Sequence, residues 1–97
     1  MTELTITHRR DGRRGEYRAC SPGNDDCGHL TWSEVSPRVR LADHTYVPPH
    51  LRGGGIAAKL VEALVADART EGFKVVPQCS YVAVAFRRHP EWKDLLA

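Results

Sequence analysis

Three consecutive glycines, Gly53-Gly54-Gly55, stand directly before a stretch with helical periodicity. No other feature restricts the possible folds as much. Without Cβ atoms, backbone N–H groups there can approach a bound group closely. The helix that follows adds its unpaired N-terminal N–H groups and the positive end of its dipole. Such a turn suits an anion, usually phosphate or pyrophosphate. A flexible linker or a simple helix cap also uses glycine, so the surrounding sequence has to decide.

The surroundings read as four strands, the glycine turn, a helix, a strand and a helix. Leu4–His8 is β-prone, Asp11-Gly12 marks a hairpin turn, and Glu16–Cys20 returns as a second strand. By this reading about eight residues, His8 to Gly15, separate the two strands. In Gly28–Val35, Leu30 and Trp32 alternate with Thr31 and Ser33, a half-buried strand pattern. After the Ser36-Pro37 turn, Arg38–Val47 is expected to be a fourth strand. Strict alternation puts Val39, Leu41, Thr45 and Val47 on one face, and Ala42, His44 and Tyr46 on the other. Pro48-Pro49 ends it, because proline cannot donate to a ladder. Ile56, Leu60, Ala63, Leu64 and Ala68 then make one apolar helical stripe, with Lys59, Glu62, Asp67 and Arg69 facing water and Gly72 as the stop. Phe73–Cys79 is a short strand, and Ser80 can cap a second helix that His89-Pro90 breaks. Glu91–Ala97 forms a last turn or short helix. The expected class is α+β, a mostly antiparallel sheet with a β-loop-α-β-α unit in the C-terminal half.

At 97 residues the chain is expected to form a single domain over residues 1–97. A net charge of +2 does not demand nucleic acid, and no long basic run appears beyond pairs such as Arg9-Arg10 and Arg13-Arg14. With no membrane-spanning apolar run and no signal-peptide pattern, a membrane is not an expected partner and the expected location is the cytoplasm. Cys20, Cys27 and Cys79 are odd in number and follow no repeating frame, which argues against a disulfide scaffold. Cys20 and Cys27 flank a turn-forming loop and can join in an oxidising setting, although a loop that short gains little. Together with His29 they match no common zinc frame, and no metal is expected.

Three phosphate-loop patterns compete at the glycines. A Walker A loop fails, because Lys59 lies four residues beyond Gly55 and is followed by Leu60. The dinucleotide fingerprint is formally met by Gly53, Gly55 and Ala58. It also needs an acid at the end of the next strand, where Val76-Pro77-Gln78-Cys79 has none. The third pattern, R/Q-x-x-G-x-G/A, is met by Arg52, Gly55 and Ala57. In this loop and in the order of elements, the chain resembles the GCN5-related N-acetyltransferases. The likeness narrows to their short, single-domain members through His44-Thr45-Tyr46-Val47-Pro48, Leu51–Ala57, Val76–Val82 and His89-Pro90-Glu91. Two positions depart from that subgroup: Ala57 where the loop usually ends in Gly, and Ser80 where proline often follows the cysteine. Both suit a helix start.

The resemblance implies acetyl-CoA as cosubstrate, held where the fourth and fifth strands splay apart. The backbone of Tyr46 and Val47 is then expected to pair with pantetheine. Amides of Arg52, Gly53, Gly54, Gly55, Ile56 and Ala57 are expected to hold the pyrophosphate. Acetyl transfer needs a thioester placed near a deprotonated amine, with stabilisation of the oxyanion and the leaving thiolate. His44 on the fourth strand and Cys79 before the second helix are the catalytic candidates, and small acetyltransferases resembling this one have that cysteine at the centre of the site. Two routes stay open: acetyl passes through a thioester on Cys79 with His44 as base, or Cys79 lines the cleft while His44 takes the proton during direct attack. Glu34 is a weaker base candidate. Tyr81 and Phe86 can pack on the cofactor or belong to the core, and Arg87 and Arg88 can reach a CoA phosphate or face water. Larger relatives insert helices between their first two strands to wall the acceptor. Here the gap is short, so an open site is expected that suits a peptide, a protein amine or an amine brought by a partner. The competing classes are a CoA-binding module without turnover and a small basic nucleic-acid-binding domain.

Overall fold

A computed structural model describes residues 4–20 and 27–97. The elements are β1 (Thr5–Asp11), β2 (Arg14–Cys20), β3 (Cys27–Ser36), β4 (Val39–Tyr46), α1 (Ile56–Glu71), β5 (Lys74–Pro77) and α2 (Ser80–Arg88). Short 3₁₀ turns cover Pro49–Leu51 and Pro90–Leu95. The sheet order is β1-β2-β3-β4-β5. The first four strands are antiparallel, and β5 joins β4 in parallel after the α1 crossover. This is the expected α+β class. No helix among the described residues is long and apolar enough to cross a membrane.

The β1–β2 connection is shorter than its composition suggests. Asp11 pairs with Arg14, leaving Gly12-Arg13 as the turn, with Gly12 at φ +63°. A two-residue hairpin turn needs that left-handed backbone. Arg9, Arg10 and Arg14, which read as loop, lie on strands instead, because β1 is exposed along its whole length and long charged side chains suit an exposed edge.

The core lies between the sheet and the two helices. Tyr17, Leu30 and Trp32 come from the sheet, Leu60, Val61 and Leu64 from α1, and Val75, Val82, Phe86 and Trp92 from the C-terminal segments. The α1 stripe is the expected one, widened by Val61 and Val65, with Ala63 only half-buried. Gly72 closes it in the left-handed region at φ 79°. The alternate positions Glu16, Arg18, His29, Thr31, His44 and Tyr46 face the other way, onto a side of the sheet that no described helix covers.

Strict alternation fails on β4. Thr31 pairs with His44 and Trp32 with Ala42, so Asp43 is an extra residue, a β-bulge that shifts the phase of the strand. Its carboxylate is tied on the open face by the hydroxyls of Thr31 at 2.5 Å and Ser33 at 3.3 Å. Before the bulge, Arg40 and Ala42 are the buried positions; after it, Thr45 and Val47 take the inward side. Val39 and Leu41 therefore do not share a face with Thr45 and Val47. Arg40 is buried with its guanidinium 4.0 Å from the Trp32 ring and 3.9 Å from the Phe73 ring, while Nη2 reaches Glu71 at 3.4 Å. Asp67 is likewise not simply solvated. It accepts a 2.6 Å hydrogen bond from the Tyr17 hydroxyl, and His8 stacks on Tyr17 while accepting from the Trp32 indole N–H at 3.0 Å. Cys20 and Cys27 are register partners on β2 and β3 and are joined by a disulfide.

Candidate functional site

The glycine turn and the end of β4 enclose a cavity of about 420 Å³. Thr45, Tyr46 and Val47 form one wall, residues of the Leu51–Ala57 segment form the next, and Tyr81 of α2 borders it. The local sequence explains the shape. Pro48-Pro49 stops β4, and the N–H groups of Leu51 and Arg52 fold back onto the carbonyls of Pro48 and Pro49 at 2.9 and 3.3 Å. Arg52 Nε donates to the Val47 carbonyl at 3.0 Å, which pins the turn to the strand end. Gly53 and Gly55 have φ of +89° and +78°, where a side chain would be strained. Gly54 has ordinary backbone, and a Cβ there would meet only the Leu51 carbonyl at 3.6 Å.

The first hydrogen bond of α1 runs from Lys59 N–H to Gly55 O at 3.1 Å. Among the described residues, no carbonyl takes the N–H groups of residues 53–58. They are unused donors at a helix N-terminus, the arrangement that holds a phosphate, and Gly53, Gly55, Ile56 and Ala57 among them line the cavity. Arg52 contributes its side chain to the loop, since its own N–H is already bonded to Pro49.

At the other end the strands part. β5 pairs with β4 only from Val39↔Lys74 to Ala42↔Pro77. Pro77 has no N–H, Gln78 N–H turns back to Val76 O at 3.0 Å, and Cys79 N–H makes the last link, to Ala42 O at 2.9 Å. The Asp43 bulge comes at the same level. Beyond it, among the described residues, the β4 edge at Thr45 and Tyr46 that faces β5 has no strand beside it.

Cys79 stands in this gap as the N-cap of α2, with its thiol 3.5 Å from Thr45 Oγ1. Burial pushes the thiol pKa up. Hydrogen bonds with the Thr45 hydroxyl and with backbone of Val82, Tyr81 and Thr45 outweigh that effect and hold it below the ordinary thiol value. His44 is exposed on the open face, its ring 5.7 Å from that of His29, which lies 5.6 Å from the Tyr46 ring. Neighbouring strand residues point to opposite sides, so Thr45 with Cys79 occupies one side of β4 and His44 the other. The structure joins Cys79 to Thr45 and does not pair it with His44. Sequence reasoning missed Thr45, whose signal was its place between His44 and Tyr46 on the cofactor strand. Glu34 is bound by Arg10 at 3.3 Å, near the first hairpin. Phe86 is a core residue packed edge-on against Trp92, whereas Tyr81 is exposed at the cavity.

Comparison with known proteins decides the family. The model of the GCN5-related N-acetyl-transferase family matches residues 16–95. The chain belongs to this family. It is thus an acyltransferase, and acetyl transfer is its general chemistry. Among solved structures, the NMR solution structure of a GCN5-like protein from Staphylococcus aureus superposes with a TM-score of 0.73 at 24% identity. The match covers 100% of this chain and 91% of that one. At that identity the likeness concerns the fold.

Proposed function

We propose that the protein is an acetyl-CoA-dependent N-acetyltransferase whose acceptor side is open to a peptide or protein amine. One observation carries this reading: a single cavity is lined by Gly53, Gly55, Ile56 and Ala57 of the glycine turn and by the free edge of β4 as far as Thr45, whose hydroxyl touches Cys79. The residues fit acetyl-CoA. The amides of Gly53 to Ala57 suit its pyrophosphate, and Tyr46 and Val47 offer backbone groups to its pantetheine arm. Bound there, the cosubstrate supplies an activated acetyl thioester.

The two faces of β4 divide the work. Cys79, with Thr45, stands on the cofactor side, where its thiol can give a proton to the departing thiolate. His44 stands on the uncovered face from which an amine arrives, and its imidazole can take the amine proton. Direct attack is the route this division supports best. The relay remains distinct in its atoms: Cys79 thiolate displaces the CoA thiolate to form an acetyl thioester on Cys79, and the amine then displaces Cys79.

Incubation with acetyl-CoA and a lysine-containing peptide, followed by intact-protein and native mass spectrometry, tests the proposal. We expect bound CoA, acetylated peptide and an unmodified Cys79. Acetyl on Cys79 that chases into peptide would establish the relay. Failure to bind CoA in any form would overturn the cofactor assignment.

A further inference from the structure

The uncovered face of the sheet holds a hollow of its own, of about 400 Å³. Arg18 and His29 line it from β2 and β3, and Tyr46, Pro48 and Pro49 line it from the end of β4. Tyr46 also borders the cofactor cavity, so one residue is common to both spaces. Arg18 pairs with His29 in the strand register and His29 pairs with Tyr46, which sets these side chains in one row across the strands. The next row is Glu16, Thr31 and His44. The His29 ring lies 5.7 Å from that of His44, so the proposed base stands one ring away from the hollow.

Charge is sorted between the two rows. The His44 row carries acids: Glu16, and Asp43 hydrogen-bonded to Thr31. The hollow carries the Arg18 guanidinium, and among the described residues no carboxylate lines it. Arg18 Nη2 donates to Glu16 Oε1 at 3.0 Å, but the pair is exposed and such pairs hold weakly. A guanidinium presents a fork of N–H groups that matches a carboxylate, and one bond does not exhaust it. A lysine amine arrives as an ammonium, which suits the acidic row. A carboxylate close to that amine suits the basic one. The rows are roughly 7 Å apart, a distance that two extended peptide residues span. We propose that the hollow receives an acidic side chain of the acceptor peptide, paired with Arg18, while the acceptor amine lies over His44. This rests on the acetyl-CoA reading above and names its substrate class: amines with Asp or Glu nearby in the sequence. Arg18 is then a specificity residue, and the exposed Tyr46 ring and the two prolines cover the apolar part of the same side chain.

Initial-rate assays with acetyl-CoA and two peptides test this in the full chain and in the Arg18→Glu and Arg14→Glu variants. The peptides are identical except that the single lysine is flanked by Glu in one and by Gln in the other. Arg14 is exposed on the same strand and lies outside the hollow, so its variant controls for the change in net charge. For the unsubstituted protein, kcat/KM should be about three- to tenfold higher for the Glu peptide, the range of one charge-assisted contact at a partly exposed site. Arg18→Glu should erase that preference, and Arg14→Glu should keep it. The preference should also shrink as salt rises from about 0.05 to about 0.5 M, which a fit of shape alone would not do. If Arg18→Glu fails to fold by circular dichroism, Arg18→Gln serves in its place. Equal kcat/KM for both peptides, or a preference that survives at Arg18→Glu, would overturn the hollow as an acidic subsite while leaving acetyl transfer to peptides intact. Acetylation of neither peptide would overturn it together with the peptide-acceptor reading, and CoA binding measured by calorimetry on the same sample would then judge the cofactor reading separately.

Discussion

Thr45 and His8 show how single residues set proton affinities on the two sides of the core. The hydroxyl of Thr45 is the strongest of the contacts that lower the Cys79 thiol pKa against the effect of burial. Thr45→Val keeps the shape and removes that contact. The thiol pKa should rise, so alkylation of Cys79 by iodoacetamide near neutral pH should slow, with the rate-versus-pH curve displaced to higher pH. An unmoved curve would mean that the α2 amides alone hold the thiolate. His8 is shifted down from its ordinary value of 6.5, first by burial, although Asp67 opposes the change. Its Nε2 accepts from Trp32, so the ring is bound in its neutral form. Because the folded pKa lies below the unfolded one, the unfolded chain takes up the proton first. His8 therefore stabilises the fold fully above about pH 6.5, and that contribution is lost as pH falls through the folded pKa. Urea unfolding at about pH 7.5 and about pH 5 should show a decline that is smaller in His8→Gln. Equal declines in both proteins would assign the effect to other groups.

At the level of elements, the glycine turn separates a binding role from a folding role. Gly54 has no need of a left-handed backbone, whereas Gly55 does. Gly54→Val should leave the apo fold near its normal stability yet sharply reduce the rise in melting temperature that CoA produces. Gly55→Val should lose the CoA effect and also cost about 1–2 kcal/mol of stability. Thermal melts with and without CoA check both, and full stabilisation by CoA in Gly54→Val would remove the loop from the site. This element was legible in the sequence because its chemistry is local: glycines, a proline stop and an amphipathic stripe fall within about twenty residues. The α1 boundaries and the strand order were readable for the same reason. The bulge at Asp43 was not, because it depends on a register against β3 that no pattern within β4 discloses. That one residue explains why strict alternation misplaces Val39 and Leu41 on the face of Thr45 and Val47. Arg40 escaped notice as a core residue because its burial rests on rings from Trp32 and Phe73, distant in the sequence. The reach of β1 and β2 was hidden by arginines, whose composition looks like loop although an exposed edge accepts them.

On the scale of the whole molecule, the proposed function divides the surface, with the cofactor on the helix side and the acceptor on the bare sheet face. With only Gly12-Arg13 joining β1 to β2, nothing from that junction walls the acceptor side. If the proposed reading holds, an acceptor brings much of its own binding energy, and kcat/KM should be higher for a lysine-containing peptide than for a small amine. The Cys20–Cys27 disulfide closes the opposite end of the β2–β3 pair, near Gly28, where a Cβ would strike Ile56 Cγ2 at 2.8 Å. That close approach ties the sheet to the first residue of α1. The spatial order of the strands equals their order in the chain. During synthesis, each strand therefore emerges with its neighbour already made, and early folding needs only adjacent pairings. The cleft differs, for Thr45–Val47 and the glycine turn come before the body of α1, whereas Cys79 and Tyr81 on its other side come only after β5. A nascent chain can thus assemble most of its sheet long before this cleft exists, and on the proposed reading CoA capture would report that synthesis has passed β5 and Cys79.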